Sequence, residues 1–208
     1  MTRPSSAVLA LLCLALAEVP AAAQVGGGAK AGLALSTFSY PGTDEEIQAL
    51  TWRPDVVASG FVVVPAKSLV SFQAEGTYSR RGARLDVGEA RVDFKLSYLE
   101  ISGLLRVGSR PAEGPSVYAY GGVTTAFTLG STQVLTEPGA NAAEVDLATV
   151  TADVDFRISV GGGVEIRRFL VEGRYTQGLR PLFADTVSNP ELTTIRTRAI
   201  EILAGVRF

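Results

Sequence analysis

The chain has 208 residues, 47% of them hydrophobic and 19% charged, and a net charge of −2. That length fits one domain, two at most, and the composition excludes a disordered chain and a collagen-like one. Dispersed Lys and Arg make nucleic acid an unexpected partner, because counterion release needs clustered cations. With no His and one Cys, neither a zinc constellation nor an internal disulfide is expected, and no metal or cofactor is predicted.

Residues 1–23 read as a secretory signal peptide. Arg3 supplies a weak positive start, Ala7 to Ala17 is an unbroken apolar run, and Ala21, Ala22 and Ala23 suit signal peptidase before Gln24. Eleven apolar residues are too few to cross a hydrocarbon core of roughly 30 Å as a helix. A short buried helix is the competing reading of this run. A lipoprotein acylated at Cys13 is disfavoured by Leu12 before it. Residues 24–208 then form one mature domain without Cys. No later apolar run reaches the length of a membrane helix, so a membrane-spanning mature chain has to be a closed barrel.

Period-2 alternation runs through that domain. Ala29 to Phe38 sets Lys30 and Ser36 opposite Leu33 and Leu35. Val56 to Val64 is too uniformly apolar for its facing to be assigned. In Val70 to Ser79, Val70, Phe72, Ala74, Gly76 and Tyr78 oppose Ser71, Gln73, Glu75, Thr77 and Ser79. Arg91 to Val107 opens with Phe94, Leu96 and Tyr98 on one face and continues with Leu99, Ile101, Gly103, Leu105 and Val107 on the other. That one-residue phase change predicts a bulge. Ser116 to Thr128 is rich in Tyr, Val, Thr and Gly. Val154 to Ile166, Phe169 to Gln177 and Ala199 to Phe208 alternate cleanly. Most of these eight segments have the roughly 9–11 residues a tilted strand needs to cross a bilayer.

Connections alternate in length. Ser39 to Asp55, Arg81 to Ala90, Leu129 to Asp153 and Gly178 to Arg196 are long; the three between them are shorter. Outer-membrane barrels have short periplasmic turns and longer external loops, which puts both termini on the periplasmic side. The polar faces pair opposite charges along one strand: Asp155 with Arg157, Glu172 with Arg174, Glu201 with Arg207 and Glu100 with Arg106. They carry Gly and Ser but almost no Lys, which suits a crowded lumen. Phe38, Tyr78, Tyr98, Tyr175 and Phe208 lie near strand ends and are candidates for aromatic girdles.

These segments, in this order, resemble a known family: AKAGLALSTF from Ala29, FQAEGTYSRRGA from Phe72, LSYLEISGLLRVG from Leu96, VYAYGGV from Val117, ISVGGGVEI from Ile158, FLVEGRYTQGL from Phe169 and the terminal GVRF from Gly205. The chain is similar to the outer-membrane-protein β-barrel domain of small porin-like proteins of Gram-negative bacteria. One departure is Ser102, where that family often has Pro. The resemblance implies an all-β, eight-stranded antiparallel up-and-down transmembrane barrel in the bacterial outer membrane. It implies contact with outer-membrane lipid and lipopolysaccharide, and capture of the terminal Phe208 by the barrel-assembly machinery.

Enzymatic outer-membrane barrels (omptin proteases, the phospholipase, the lipid A deacylase, the palmitoyltransferase) rely on a catalytic His, which this chain lacks. Catalysis by a carboxylate pair among Glu165, Glu172 and Glu201 is formally open. The favoured reading places them with Arg157, Arg174 and Arg207 in an interior ion-pair network. Gly26 to Gly28 and Gly161 to Gly163 precede strands, not helices, so they are read as packing positions rather than phosphate loops. The acidic Asp44, Glu45 and Glu46 and the small-residue stretch around Pro138 and Gly139 fall in loops. The expected role is structural or interactive, through external loops whose partner is unknown, with no catalysis. A narrow ion channel is a sub-case. The alternative is a soluble periplasmic or secreted barrel with an apolar ligand inside.

Overall fold

A computed structural model describes residues 25–39, 50–66, 68–109, 114–137, 139, 142–149, 151–182 and 195–208. The proposed signal peptide, the triplet Asp44, Glu45 and Glu46, and Pro138 lie outside the described residues.

The described chain is all strand and turn. Eight strands form the wall: β1 (Gly26–Ser39), β3 (Arg53–Pro65), β4 (Val70–Val87), β5 (Ala90–Gly108), β6 (Ser116–Thr136), β8 (Val154–Ile166), β9 (Phe169–Gly178) and β10 (Arg196–Arg207). Two short strands, β2 (Leu50–Thr51) and β7 (Ala143–Asp146), extend the wall beside β4 and β6. Each wall strand pairs antiparallel with its neighbours, and β1 pairs with β10 from Gly28–Arg207 to Ser39–Arg196, closing the barrel. Closure gives every wall strand a partner on both sides, the condition for a sheet to cross a bilayer.

Facing follows the alternation. In β8, Phe156, Ile158, Val160 and Val164 are exposed outward, while Asp155, Arg157, Ser159 and Glu165 are buried inward. In β10, Ile200, Ile202 and Val206 face out and Glu201 faces in. The outer surface is therefore aliphatic and the lumen polar. This is the reverse of what a soluble barrel with an apolar interior requires. β3, unassigned from sequence, places Val57, Phe61 and Val63 inward and Val56 and Val62 outward.

Three expectations are corrected. Arg81 to Ala90 is not a loop: β4 and β5 continue through it to a tight turn at Gly88 and Glu89. Leu129 to Asp153 likewise contains the end of β6 and all of β7. The bulge is not on β5, whose Leu96, Tyr98, Glu100, Ser102, Leu104 and Arg106 all face inward without a phase change. Ser97 pairs with Gly130 and Tyr98 with Thr128, so the extra residue is Leu129 of β6. Ala126 below it and Ser131 above it both face inward because of that insertion. The apparent phase change on β5 has another cause: its inward residues turn apolar near the long-loop end.

That end of the lumen is closed by an apolar cluster of Phe38, Ala83, Leu96, Tyr98, Ala126, Leu182 and Ile195, with Phe94 against it. Phe38 (7% exposed) and Tyr98 (1%) therefore belong to the interior and not to a girdle. Tyr78, Tyr175 and Phe208 do face outward.

Candidate functional site

The chemistry-bearing side chains converge in the lumen, because period-2 strands send every second residue inward. Nearest the short turns, Glu165 binds Arg106 at 3.0 Å and Arg207 at 3.1 Å. The Arg106 guanidinium lies 3.4 Å from the centroid of the Tyr118 ring. In the middle, Lys30 Nζ donates to Glu75 and to Glu172, each at 2.5 Å. Arg174 donates to both Glu75 oxygens at 2.9 and 2.7 Å. Tyr118 donates its hydroxyl to Glu172 at 2.7 Å, and Tyr120 does so at 3.3 Å. Higher still, Arg81 binds Glu201 at 2.7 Å and Glu100 at 3.1 Å. Arg157 binds Glu100 at 2.6 Å and Asp155 at 2.8 Å.

The pairs are linked. Arg174 lies 3.8 Å from Glu172 and 3.9 Å from Glu201, which joins the middle group to the upper one. Among the described residues, this lumen set holds six cations (Lys30, Arg81, Arg106, Arg157, Arg174, Arg207) and six carboxylates (Glu75, Asp155, Glu100, Glu165, Glu172, Glu201). Equal numbers matter here, because an uncompensated charge out of contact with water costs several kcal/mol.

The sequence-named residues Glu165, Glu172, Arg174, Glu201, Arg207 and Arg157 all reach this lumen, but their partners differ from a same-strand reading. Asp155 does hold Arg157. Glu201 pairs with Arg81, not with Arg207. Arg207 and Arg106 share Glu165, and Glu100 takes Arg81 and Arg157 in place of Arg106. Arg174 binds Glu75 more closely than Glu172. Each of Glu165, Glu172 and Glu201 is engaged by a cation, so none stands as an unpartnered acid or base. Three principal residues, Lys30, Glu75 and Arg81, were absent from the sequence-named set. Lys30 and Glu75 carry the signal that would have found them, since each sits on the polar face of an alternating strand.

The Gly161–Gly163 run makes room for this chemistry. A Cβ on Gly161 would lie 2.7 Å from the Tyr120 hydroxyl, and one on Gly163 would lie 2.8 Å from the Tyr118 hydroxyl. Both tyrosines thus lie over inward-facing backbone and reach Glu172. A Cβ on Gly163 would also meet the Val171 carbonyl at 2.5 Å, so Gly163→Ala is expected to press on that backbone and on Tyr118 and lower stability by about 1–3 kcal/mol, the range for overpacking. A urea titration of the folded band on an unboiled gel measures it, and an unchanged midpoint would refute the packing role.

The outer membrane protein beta-barrel domain matches residues 21–184 of this chain. The chain belongs to that family. No curated protein matches it. Among solved structures, members of the outer-membrane barrel group align over most of their lengths. Ail, the attachment invasion locus protein of Yersinia pestis, solved with the heparin analogue sucrose octasulfate, is 13% identical, with 88% of this chain and 99% of that one covered and a TM-score of 0.41. Neisserial surface protein A is 11% identical, with coverages of 88% and 97% and a TM-score of 0.49. OprG of Pseudomonas aeruginosa is 8% identical, with coverages of 88% and 95% and a TM-score of 0.42. Family membership places the barrel in the bacterial outer membrane. There its aliphatic outer face meets lipid, in an environment that includes lipopolysaccharide.

Proposed function

We propose that this barrel acts by contact rather than by catalysis, presenting the extended ends of β4, β5, β6 and β7 to the outside of the cell. The observation that carries the reading is the combination of an aliphatic outer wall with a lumen filled by paired charges. Eight strands leave an interior just wide enough for side chains, and here side chains occupy it. What remains for function is the rim. The short turns go to the periplasm and the long strands outward, following the asymmetry of this architecture. Both ends of the mature domain, residues 24–208, are then periplasmic. Residues 1–23 serve as the export signal.

Phe208 supports a further step. Its side chain is 85% exposed, and its N–H donates to the Gly27 carbonyl at 2.8 Å, next to the seam between first and last strands. A terminal aromatic held there is open to recognition by the assembly machinery.

The test is heat-modifiability of the precursor expressed in a Gram-negative host. A band in isolated outer membranes that shifts on boiling, and that surface-added protease cuts in the long connections of intact cells, is expected. A soluble periplasmic protein without such a shift would overturn the reading.

A further inference from the structure

The wall is interrupted between β3 and β4. β3 pairs with β4 as far as Val57–Ser79, and pairing on that side of β4 resumes only with β2 at Thr51–Arg84. Residues 80–83 therefore have no ladder partner there. Pro54 of β3 has no N–H to offer one. Gly82 instead donates its N–H to Ser36 Oγ at 2.8 Å and accepts from it at 3.0 Å. Beside this gap lies a pocket of about 350 Å³, lined by Arg53 and Arg80 at the gap and by residues of β5 and β6 that include Lys95, Ser97 and Thr132.

We propose that this pocket binds a phosphate group of the outer-leaflet glycolipid, with Arg80, Lys95 and Arg53 as its cations. The proposal rests on the orientation given under Proposed function. Three observations carry it. The first is charge. Arg80 and Lys95 are exposed, and no described carboxylate lies within ion-pair distance of either, unlike the twelve paired groups of the lumen. Among the described residues, Arg80 donates only to the Tyr78 hydroxyl, at 3.2 Å. Arg53 is held by Asp55 at 3.0 Å and lies 3.8 Å from Asp93, so it is a fixed cation at the edge of the pocket.

The second is height. Tyr78, Leu99 and Phe127 pair side by side and face outward. The next outward pair toward the loops is Arg80–Ser97, and Lys95–Thr132 lies one step further. The cations thus sit just beyond an apolar and aromatic belt, where lipid headgroups begin. The third is chemistry. Guanidinium forks match phosphate oxygens, an ammonium adds a point charge, and the Ser97 and Thr132 hydroxyls can donate. A phosphate anchored to a lipid is already at this height, whereas a free ion has to be captured from solution.

The Arg80→Gln, Lys95→Gln double variant tests it. Wild type and variant are refolded in detergent, and each is titrated with fluorescent bisphosphorylated lipid A in mixed micelles, with the same lipid after enzymatic removal of its phosphates, and with inorganic phosphate. The variant is expected to bind the phosphorylated lipid at least tenfold more weakly. Dephosphorylated lipid is expected to bind both proteins equally and weakly. Equal binding of the phosphorylated lipid by both proteins would overturn the proposal. So would inorganic phosphate saturating the wild type at the concentration of the lipid, which would mark a free-anion site. The gel shift on boiling checks each protein: if the double variant loses it, Lys95→Gln alone gives the same readout. A wild type without the shift would indict the barrel reading, not the pocket.

Discussion

Glu75→Ala is expected to destabilise the barrel by about 3–5 kcal/mol, the cost of stripping a buried pair of its partner. Glu75 receives hydrogen bonds from Lys30, Arg174 and Gln73. The Lys30 side chain is fully buried and that of Arg174 nearly so. Without Glu75, Lys30 keeps only Glu172, and Arg174 keeps the Tyr120 hydroxyl and two distant carboxylates. Two cations then compete for too few acceptors. Urea unfolding of refolded protein, read as the midpoint of the folded band, measures the loss. The double variant Lys30→Met, Glu75→Gln is expected to recover much of it, because charge and partner leave together. A single variant as stable as wild type, or a double variant no better than the single, would show that the pair does not carry the stability assigned to it.

Ile202→Arg is expected to cost about 2–4 kcal/mol when the protein folds into a bilayer, the range for a cation near the midplane of a barrel wall. Ile202 is 67% exposed and sits mid-strand on β10, paired with Leu33 of β1 and Gly173 of β9. Its neighbours on the outer face include Leu33, Ile200 and Val171. No carboxylate on that face is available to a new cation among these neighbours. The measurement is the yield of heat-modifiable protein in vesicles, with Arg207→Gln as a lumen control of smaller effect. If Ile202→Arg folds as well in vesicles as wild type, Ile202 does not face lipid.

How much of this was legible follows from what each strand mixes. β8, β9 and β10 were readable because polar and apolar residues alternate along most of their length, even though Leu170 and Leu203 are apolar on the inward face. β3 was not, since Val57, Phe61 and Val63 line the lumen beside outward Val56 and Val62. Alternation carries no signal where both faces are aliphatic. Phe38 and Tyr98 misled for a related reason: the lumen is polar in its middle but apolar under the loops, so aromatic residues there close the interior. The strand extensions beyond Arg81 and Leu129 contain enough Arg, Asp, Gly and Thr to resemble loops, yet they pair continuously.

Ion-pair partners were the least legible feature. Residues two apart on a strand are about 6.6 Å apart at their Cα atoms, close enough to look paired. Whether they pair is decided by side chains from across the lumen. Arg81 and Glu201 lie 120 residues apart and meet at 2.7 Å. Only closure of the ring puts them opposite one another, and no local window of sequence contains that fact.

The seam between β1 and β10 has a consequence in time. Gly28 pairs with Arg207 and Ser39 with Arg196, so the strand made first waits for the strand made last. Every other wall pairing joins strands that follow one another closely along the chain. Until residues 196–207 exist and arrive, the nascent sheet has two raw edges and a lumen open along its length. Until then the sheet is unclosed and vulnerable to pairing with other copies. Loss of β10 would leave that vulnerability permanent, so residues 196–207 govern the fate of the wall strands before them.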